Sequence, residues 1–220
     1  MRKIAVATLL AVPLWASAAT NLVTNGSFEA GLSGWTVSGS VGDAYPATVI
    51  TYNSASPYPT GAFGEAVPVD NAVNAGPDAA GTQALYFVSD FSTQIVSQSI
   101  TVPTGGSYQF GLDVYLPANG FANAVDGTIG ITLGSSNFGT YPLSGFTATT
   151  WTPGSSALTL AAGTYTLSLA FTTDGFPAKD MVIDKVYLVS TPVPEAGTAA
   201  MMFAGLASIA FLAARRRSMR

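Results

Sequence analysis

The sequence predicts an all-β domain built as a two-sheet β-sandwich or jelly roll. Apolar residues alternate with polar or small ones in segments 108–116, 128–133 and 164–171, which is the period of strands with one buried and one wet face. Turn signals such as Gly105-Gly106 and Ala162-Gly163 stand before two of these segments. No segment of the domain has a convincing helical period. Short strands separated by glycine and proline turns are typical of two packed sheets.

The remaining strands are predicted, in chain order, at residues 36–41, 47–52, 84–89, 95–102, 146–151, 157–160 and 181–189. Residues 53–83 show no clear period, and about 30 residues is long for a loop in a compact domain. This segment is either a binding loop or an ordered insertion that packs over the sandwich. Residues 119–123 form a second candidate loop.

Charge is unevenly distributed along the chain. The 220 residues have a formal net charge of −4, but six of the eight basic residues lie in the terminal tails. Between residues 20 and 190, two lysines (Lys179 and Lys185) stand against eleven acidic residues, which leaves a net charge of −9. An acidic surface repels nucleic acid, so nucleic acid is excluded as a partner. The same surface attracts cations such as calcium.

The sequence contains no cysteine and no histidine. Disulfides, thiol catalysis and thiolate metal sites are therefore excluded, as are the usual base of serine hydrolases and the common zinc ligand. A glycoside hydrolase needs two carboxyl groups about 5–10 Å apart, and no motif identifies such a pair. We therefore interpret the domain as non-catalytic. A carboxylate-based glycoside hydrolase is the least favoured alternative.

The N-terminal tail has the pattern of a secretory signal peptide. Arg2 and Lys3 precede an apolar stretch at residues 4–15, and Ala16-Ser17-Ala18 supplies small residues for cleavage. Residues 1–19 are accordingly predicted to direct export and to be removed. The mature domain then comprises residues 20–190.

The C-terminal segment, residues 191–220, has three parts. A short motif at residues 193–196 leads into nineteen uncharged residues, 196–214, and a basic tail follows at 215–220. At about 1.5 Å per residue a helix of this length covers roughly 28 Å, close to the ~30 Å hydrocarbon core of a bilayer. We predict one transmembrane helix here, with a cytoplasmic C-terminus set by Arg215, Arg216 and Arg217. The alternatives are a plain permanent anchor or a buried helix of the domain.

Motif, helix and basic cluster in this order, behind a signal peptide, resemble the PEP-CTERM sorting signal of Gram-negative bacteria. Val193, Pro194 and Glu195 match that family's Val-Pro-Glu-Pro motif, and Ala196 replaces its second proline. The resemblance implies that an exosortase-type enzyme of the inner membrane recognises and removes the segment. The protein is then anchored in the inner membrane only transiently and reaches the cell surface or the extracellular polysaccharide.

The domain itself is similar to carbohydrate-binding modules with the galactose-binding-like jelly-roll fold. The similarity lies in the opening residues 21–29 (Asn-Leu-Val-Thr-Asn-Gly-Ser-Phe-Glu), in the Gly-Leu-Ser-Gly-Trp that ends at Trp35, and in residues 81–86 and 182–186. The resemblance implies the jelly-roll fold more directly than it implies a carbohydrate ligand.

In that family a structural calcium ion commonly ties the first strand to the last, and the matching positions here are Glu29 and Asp184. Alternation places Asp184 on the same strand face as Val182, Val186 and Leu188, where a buried carboxylate requires a cation or several donors. The alternatives are a charge at the rim of the sandwich, or pairing with Lys185 or Lys179.

Aromatic residues in or near predicted loops are candidates for stacking on sugar rings, whereas Trp35 is assigned to the core because it opens a strand after a glycine turn. The candidates are Tyr58, Phe63, Phe121 and Trp151, together with Tyr52 and Tyr141. The domain is therefore predicted to be a carbohydrate-binding or adhesive module, and the alternative is a structural matrix protein without a glycan ligand. Exposed rings favour the first interpretation. A flat Thr/Ser surface with an unprotected edge strand favours the second.

Overall fold

The computed structural model describes residues 20–39, 44–191 and 204–209. The predicted signal peptide, sorting motif and basic tail lie outside the described residues. The strands within residues 20–39 and 44–191 are β1 (Thr36–Gly39), β2 (Thr48–Thr51), β3 (Gln83–Phe87), β4 (Thr93–Val102), β5 (Gly106–Tyr115), β6 (Gly127–Leu133), β7 (Ser136–Pro142), β8 (Thr152–Leu160), β9 (Gly163–Thr173) and β10 (Met181–Ser190). Helix α1 (Ala118–Phe121) follows β5, and a 3-10 turn (Leu143–Gly145) follows β7.

The strands form two five-stranded sheets in which every pair of neighbours is antiparallel. Sheet 1 has the order β1-β4-β9-β6-β7, and sheet 2 has the order β2-β3-β10-β5-β8. The prediction of an all-β, two-sheet sandwich is confirmed.

The main core lies between the two sheets. Alternate residues of β4 and β9, such as Val96 and Leu169, point inward to meet side chains of sheet 2. Phe87 of sheet 2 stacks on Phe171 of sheet 1, with ring centroids 5.2 Å apart. Trp35 is 8% exposed and belongs to this core, which confirms its assignment.

Sheet 2 is covered on its other face as well, by residues 53–82. Apart from an isolated bridge between Ala62 and Glu65, this segment has no strand. Its apolar side chains, including Ala62, Val67 and Ala80, pack against β2, β3, β5 and β10 to form a second core. The interpretation as an ordered insertion is confirmed. Because β10 is then buried on both faces, its sequence is a nearly continuous apolar run rather than an alternation.

The strand predictions near the edges need correction. Residues 146–151 form a turn in which Thr149 has a φ of 58°. β7 was not predicted, and β8 begins five residues before the predicted start at 157. Both are edge strands that are exposed over most of their length. Their small and polar residues therefore carry no alternation that a sequence pattern can detect.

The outer face of sheet 1 is rich in hydroxyl groups. Strand pairing sets its outward residues in rows across the sheet, for example Thr36, Ser97, Ser168 and Thr132. None of the five strands of sheet 1 contains an acidic or basic residue. This face is thus neutral and hydrophilic.

Residues 204–209 are helical and fall within the predicted transmembrane helix 196–214. Among the residues that the structure describes, no helix is both long enough and apolar enough to cross a membrane. The rest of the predicted helix lies outside the described residues.

Candidate functional site

Three aromatic rings form an exposed cluster beside β2, and we name Tyr45, Tyr58 and Phe63 the aromatic cluster. Tyr58 and Phe63 stack with centroids 5.7 Å apart, and Tyr45 packs edge-on against them at 5.2 and 5.4 Å. Phe63 is 47% exposed and Tyr45 is 39% exposed. The Tyr58 hydroxyl donates a 2.8 Å hydrogen bond to the Pro46 carbonyl. The structure thus brings together two predicted rings and adds Tyr45, which no sequence signal indicated.

Hydrogen bonds fix the backbone segment that carries Phe63 of the aromatic cluster. The Glu65 carboxylate accepts hydrogen bonds from the N–H groups of Ala118 (2.6 Å) and Asn119 (2.9 Å), which open α1. The bridge between Ala62 and Glu65 flanks the turn that carries Phe63. The two predicted loops, 53–83 and 119–123, therefore meet.

The other predicted rings lie apart from this cluster. Phe121 is half-buried, and the Lys179 ammonium lies 4.3 Å from its ring centroid. Trp151 is 5% exposed, packs against Tyr52 and Tyr115 in the second core, and donates from Nε1 to a backbone carbonyl. Because it has no exposed face, the assignment of Trp151 to ligand binding is corrected to a core role. Tyr52 is buried as well.

Three further exposed rings lie elsewhere on the sandwich. Tyr141 is 44% exposed on edge strand β7. Phe91 and Phe176 are 71% and 72% exposed, on two loops that Asp90 connects through its backbone carbonyl and its carboxylate. Sequence analysis did not single out Phe91 or Phe176, because isolated phenylalanines in turns have no pattern.

The carboxylate of Glu29, one of the two predicted calcium ligands, is exposed and engaged by the protein. It accepts hydrogen bonds from the N–H groups of Thr82 and Gln83, at 2.7 Å each, and from the Thr82 hydroxyl at 2.9 Å. Among the described residues there is no group of three or more acidic, histidine or cysteine side chains arranged to hold a metal ion. Calcium binding by Glu29 and Asp184 stays a prediction.

A neutral amide links the N-terminal segment to β10, the connection that the resemblance assigned to calcium. Asn21 Nδ2 donates to the Val186 carbonyl at 3.1 Å, and Asn21 Oδ1 accepts from the Leu188 N–H at 3.0 Å. The Val186 N–H donates to the Gly26 carbonyl at 2.9 Å. The first segment and the last strand are thus joined by direct hydrogen bonds.

A β-bulge in β10 changes the face on which Asp184 lies. The register against β5 shifts between Asp184 and Tyr187, and Lys185 has a φ of 44°. The extra residue turns Val186 and Leu188 toward the main core, while Asp184 meets Tyr52 on the other side. The prediction that Asp184 shares a face with Val186 and Leu188 is corrected accordingly.

Lys185 is the centre of a buried charge network beneath segment 53–82. Its ammonium lies 2.9 Å from Asp113 Oδ2 and 3.2 Å from Asp70 Oδ2, and it donates to the Ala72 carbonyl at 2.6 Å. Asn74 Nδ2 donates to the same Asp113 oxygen at 2.8 Å. Lys185 therefore pairs with Asp70 and Asp113, two residues that the sequence did not single out.

Burial raises the pKa of three enclosed carboxyl groups. It raises the pKa of Asp184 to about 8 despite the hydrogen bond from Tyr52. It also raises the pKa of Asp70 to about 7, and neighbouring Asp113 adds to the effect. Asp180, which accepts a hydrogen bond from the Tyr86 hydroxyl, likewise reaches about 7 through burial. All three are at most 7% exposed.

No protein-family model and no curated protein matches the chain, whereas solved structures do. The carbohydrate-binding module TmCBM61, solved with β-1,4-galactotriose, has 18% identity and a TM-score of 0.52 over 78% of this chain and 99% of its own. A cyclase from Fischerella sp. TAU has 13% identity and a TM-score of 0.51 over 80% of this chain and 98% of its own. The K3 adhesin domain of Lys-gingipain from Porphyromonas gingivalis has 16% identity and a TM-score of 0.48 over 79% of this chain and 99% of its own. The fold is a β-sandwich like that of carbohydrate-binding modules.

Proposed function

We propose that residues 20–190 form a non-catalytic carbohydrate-binding module of an exported surface or matrix protein. The aromatic cluster is the observation that carries this proposal. It presents three mutually packed rings to solvent, two of them more than a third exposed. Aromatic faces cover the apolar C–H faces of sugar rings in water. The fold shared with a module solved with β-1,4-galactotriose supports the same ligand class.

The charge distribution favours a neutral glycan. The only basic residues between positions 20 and 190 are Lys179 and Lys185, and both are engaged by the protein. Lys179 donates to the carbonyls of Phe121 and Asn123, and Lys185 lies in the buried network. An anionic polysaccharide therefore meets an acidic surface without an available side-chain cation.

Replacing Phe63 by alanine is expected to weaken glycan binding at least tenfold. We expect wild-type Kd values of about 10⁻³–10⁻⁵ M for neutral oligosaccharides, and a tenfold loss corresponds to about 1.4 kcal/mol. A glycan panel identifies the ligand, and calorimetry on the purified full-length chain then measures Phe63→Ala and Tyr58→Ala. Phe91→Ala is the matched control, because Phe91 is exposed but lies outside the aromatic cluster. Loss of binding in the control alone places the site at the loop that carries Phe91 rather than at the aromatic cluster.

For the C-terminal segment we propose transient anchoring followed by exosortase-type cleavage near residues 193–196. The order of motif, apolar run and arginine cluster supports this. Intact mass of the surface-associated protein is expected to end near this motif, and Glu195→Ala is expected to leave the segment attached. A wild-type surface protein that still carries Arg215–Arg217 contradicts cleavage and indicates a permanent anchor.

A structural matrix protein is the second candidate function. The neutral hydroxyl face of sheet 1 and the exposed edge strand β8 favour it, because both suit contacts between copies. Absence of binding across a broad panel of glycans up to millimolar concentration supports this candidate over the first.

A further inference from the structure

A cleft of about 380 Å³ opens on the outer side of sheet 2, away from the aromatic cluster. Its walls are residues 73–75 of the insertion and residues 153–155 of β8, and its floor is Gln109 of β5 and Tyr187 of β10. We call it the Tyr187 cleft. Its volume is at the small end of ligand pockets, about 300–1,000 Å³. Four strand spacings separate β2, beside the aromatic cluster, from β8, which amounts to about 19 Å.

The hydroxyl of Tyr187 is the unusual feature of this cleft. Tyr187 is 1% exposed, and its hydroxyl oxygen has no hydrogen-bond partner. Ser155 and the backbone of Ala75 lie close enough to influence the pKa of Tyr187, but neither completes a hydrogen bond with it. Buried hydroxyl groups in proteins are nearly always paired. An unpaired hydroxyl that lines a cleft indicates a partner that comes from outside the chain.

Two glycines leave the space that the Tyr187 side chain occupies. A Cβ at Gly111 would lie 2.4 Å from the Tyr187 hydroxyl oxygen, and a Cβ at Gly76 would lie 2.9 Å from the ring. Neither glycine is in the left-handed region, so the lack of a side chain is needed for space rather than for conformation. Hydrogen bonds also fix the wall formed by residues 73–75, because Asn74 donates to Asp113 and accepts from the Gly76 N–H.

The lining of the cleft is polar on the floor and apolar at the rim. Gln109 is half-buried and supplies a side-chain amide to the floor. Ser155 supplies an exposed hydroxyl. Val73, which is 90% exposed, and Pro153 form apolar parts of the rim. None of the lining residues is charged.

We propose that the Tyr187 cleft binds one neutral sugar residue, as a second glycan site. The sugar hydroxyls pair with Tyr187, Gln109 and Ser155, and its C–H groups pack against the rim. An apolar ligand leaves the Tyr187 hydroxyl unpaired, and an ion finds no opposite charge in the lining. The proposal rests on the proposed carbohydrate-binding function and adds a site that has no exposed aromatic ring.

Side-chain amide signals test the proposal directly. In the ¹⁵N-labelled full-length chain in detergent, titration with galactose and β-1,4-galactotriose is expected to shift the Gln109 amide in a saturable way. Tyr187→Phe, which removes only the hydroxyl, is expected to weaken this binding about three- to tenfold. The same change is expected to leave stability unchanged or raised, because no protein hydrogen bond is lost. Phe63→Ala is expected to leave the Gln109 response intact.

Tyr108→Phe is the matched control, because the Tyr108 hydroxyl has a partner, the Thr104 carbonyl at 2.6 Å. It is expected to lower stability and leave the Gln109 response unchanged. A Gln109 response that is unchanged in Tyr187→Phe overturns the proposal, as does a loss of stability equal to that in Tyr108→Phe. NMR signals that shift only near Phe63 overturn the proposal of a glycan site in the Tyr187 cleft. They leave the proposed carbohydrate-binding function standing. NMR signals that shift only in the Tyr187 cleft support the proposed cleft site. They contradict the assignment of glycan binding to the aromatic cluster.

Discussion

Replacing Lys185 by methionine is expected to lower the free energy of unfolding by about 3–5 kcal/mol at pH 8, the usual cost of breaking a buried ion pair. Methionine replaces the apolar stem of the side chain but leaves Asp70 and Asp113 facing each other without a cation. Asp113 is fully buried, and Asp70 is 7% exposed. The loss is expected to shrink at pH 5, where Asp70 becomes protonated. Urea unfolding followed by tryptophan fluorescence measures both values.

Lys179→Met is the matched control. Lys179 is half-buried and forms no ion pair with any residue in the described ranges, but its ammonium donates to two carbonyls and lies over the Phe121 ring. We expect a smaller loss, about 1–2 kcal/mol, that does not depend on pH between 5 and 8. Equal losses in the two variants contradict a special role for the Lys185 network.

The wild-type protein is expected to be more stable at pH 5 than at pH 9. Folding raises the pKa of Asp184 to about 8 and that of Asp70 and Asp180 to about 7, in each case mainly through burial. The unfolded chain releases these protons near pH 4, so ionisation opposes folding as the pH rises from about 4 through 7–8. A difference of one pH unit between folded and unfolded pKa values changes the free energy of unfolding by about 1.4 kcal/mol. One such unit for each of the three groups amounts to about 4 kcal/mol.

Unfolding midpoints in urea across this pH range provide the measurement. Asp184→Asn keeps the shape of the side chain, accepts from the Lys185 N–H and donates to the Tyr52 oxygen, so it is expected to flatten the curve. Asp174→Asn is the control, because Asp174 is exposed. Stability that stays constant from pH 5 to pH 9 contradicts the prediction and indicates that these carboxyls are already ionised in the folded protein at pH 5.

Period-two alternation was sufficient to predict the fold, because strands such as β4 and β9 have one buried face and one exposed face. It was insufficient for β10, where one added residue at Lys185 reverses the faces of the residues that follow. A bulge is set by tertiary contacts and leaves no local sequence signal. For this reason alternation predicts one shared face for Asp184, Val186 and Leu188, whereas the bulge separates Asp184 from the other two.

The burial of the aromatic side chains was likewise only partly predictable from the sequence. Tyr58 and Phe63 were identified because both lie in an aperiodic segment, and the structure exposes Phe63. Trp151 also lies outside a strand, but its ring enters the second core that residues 53–82 create. Whether a ring in an irregular segment is buried depends on which distant segment covers it. The network of Asp70, Asp113 and Lys185 likewise joins residues far apart in the chain.

The covering of only one sheet by residues 53–82 has an evolutionary consequence. Outward positions of β9 in sheet 1 contact solvent, so substitutions there change stability by about 0.5 kcal/mol or less. Outward positions of β10 in sheet 2 lie under the insertion, and substitutions there meet a packed interior. Descendants of this protein can therefore alter the chemistry of one broad face while the fold persists. The outward residues of sheet 2 can change only when residues 53–82 change with them.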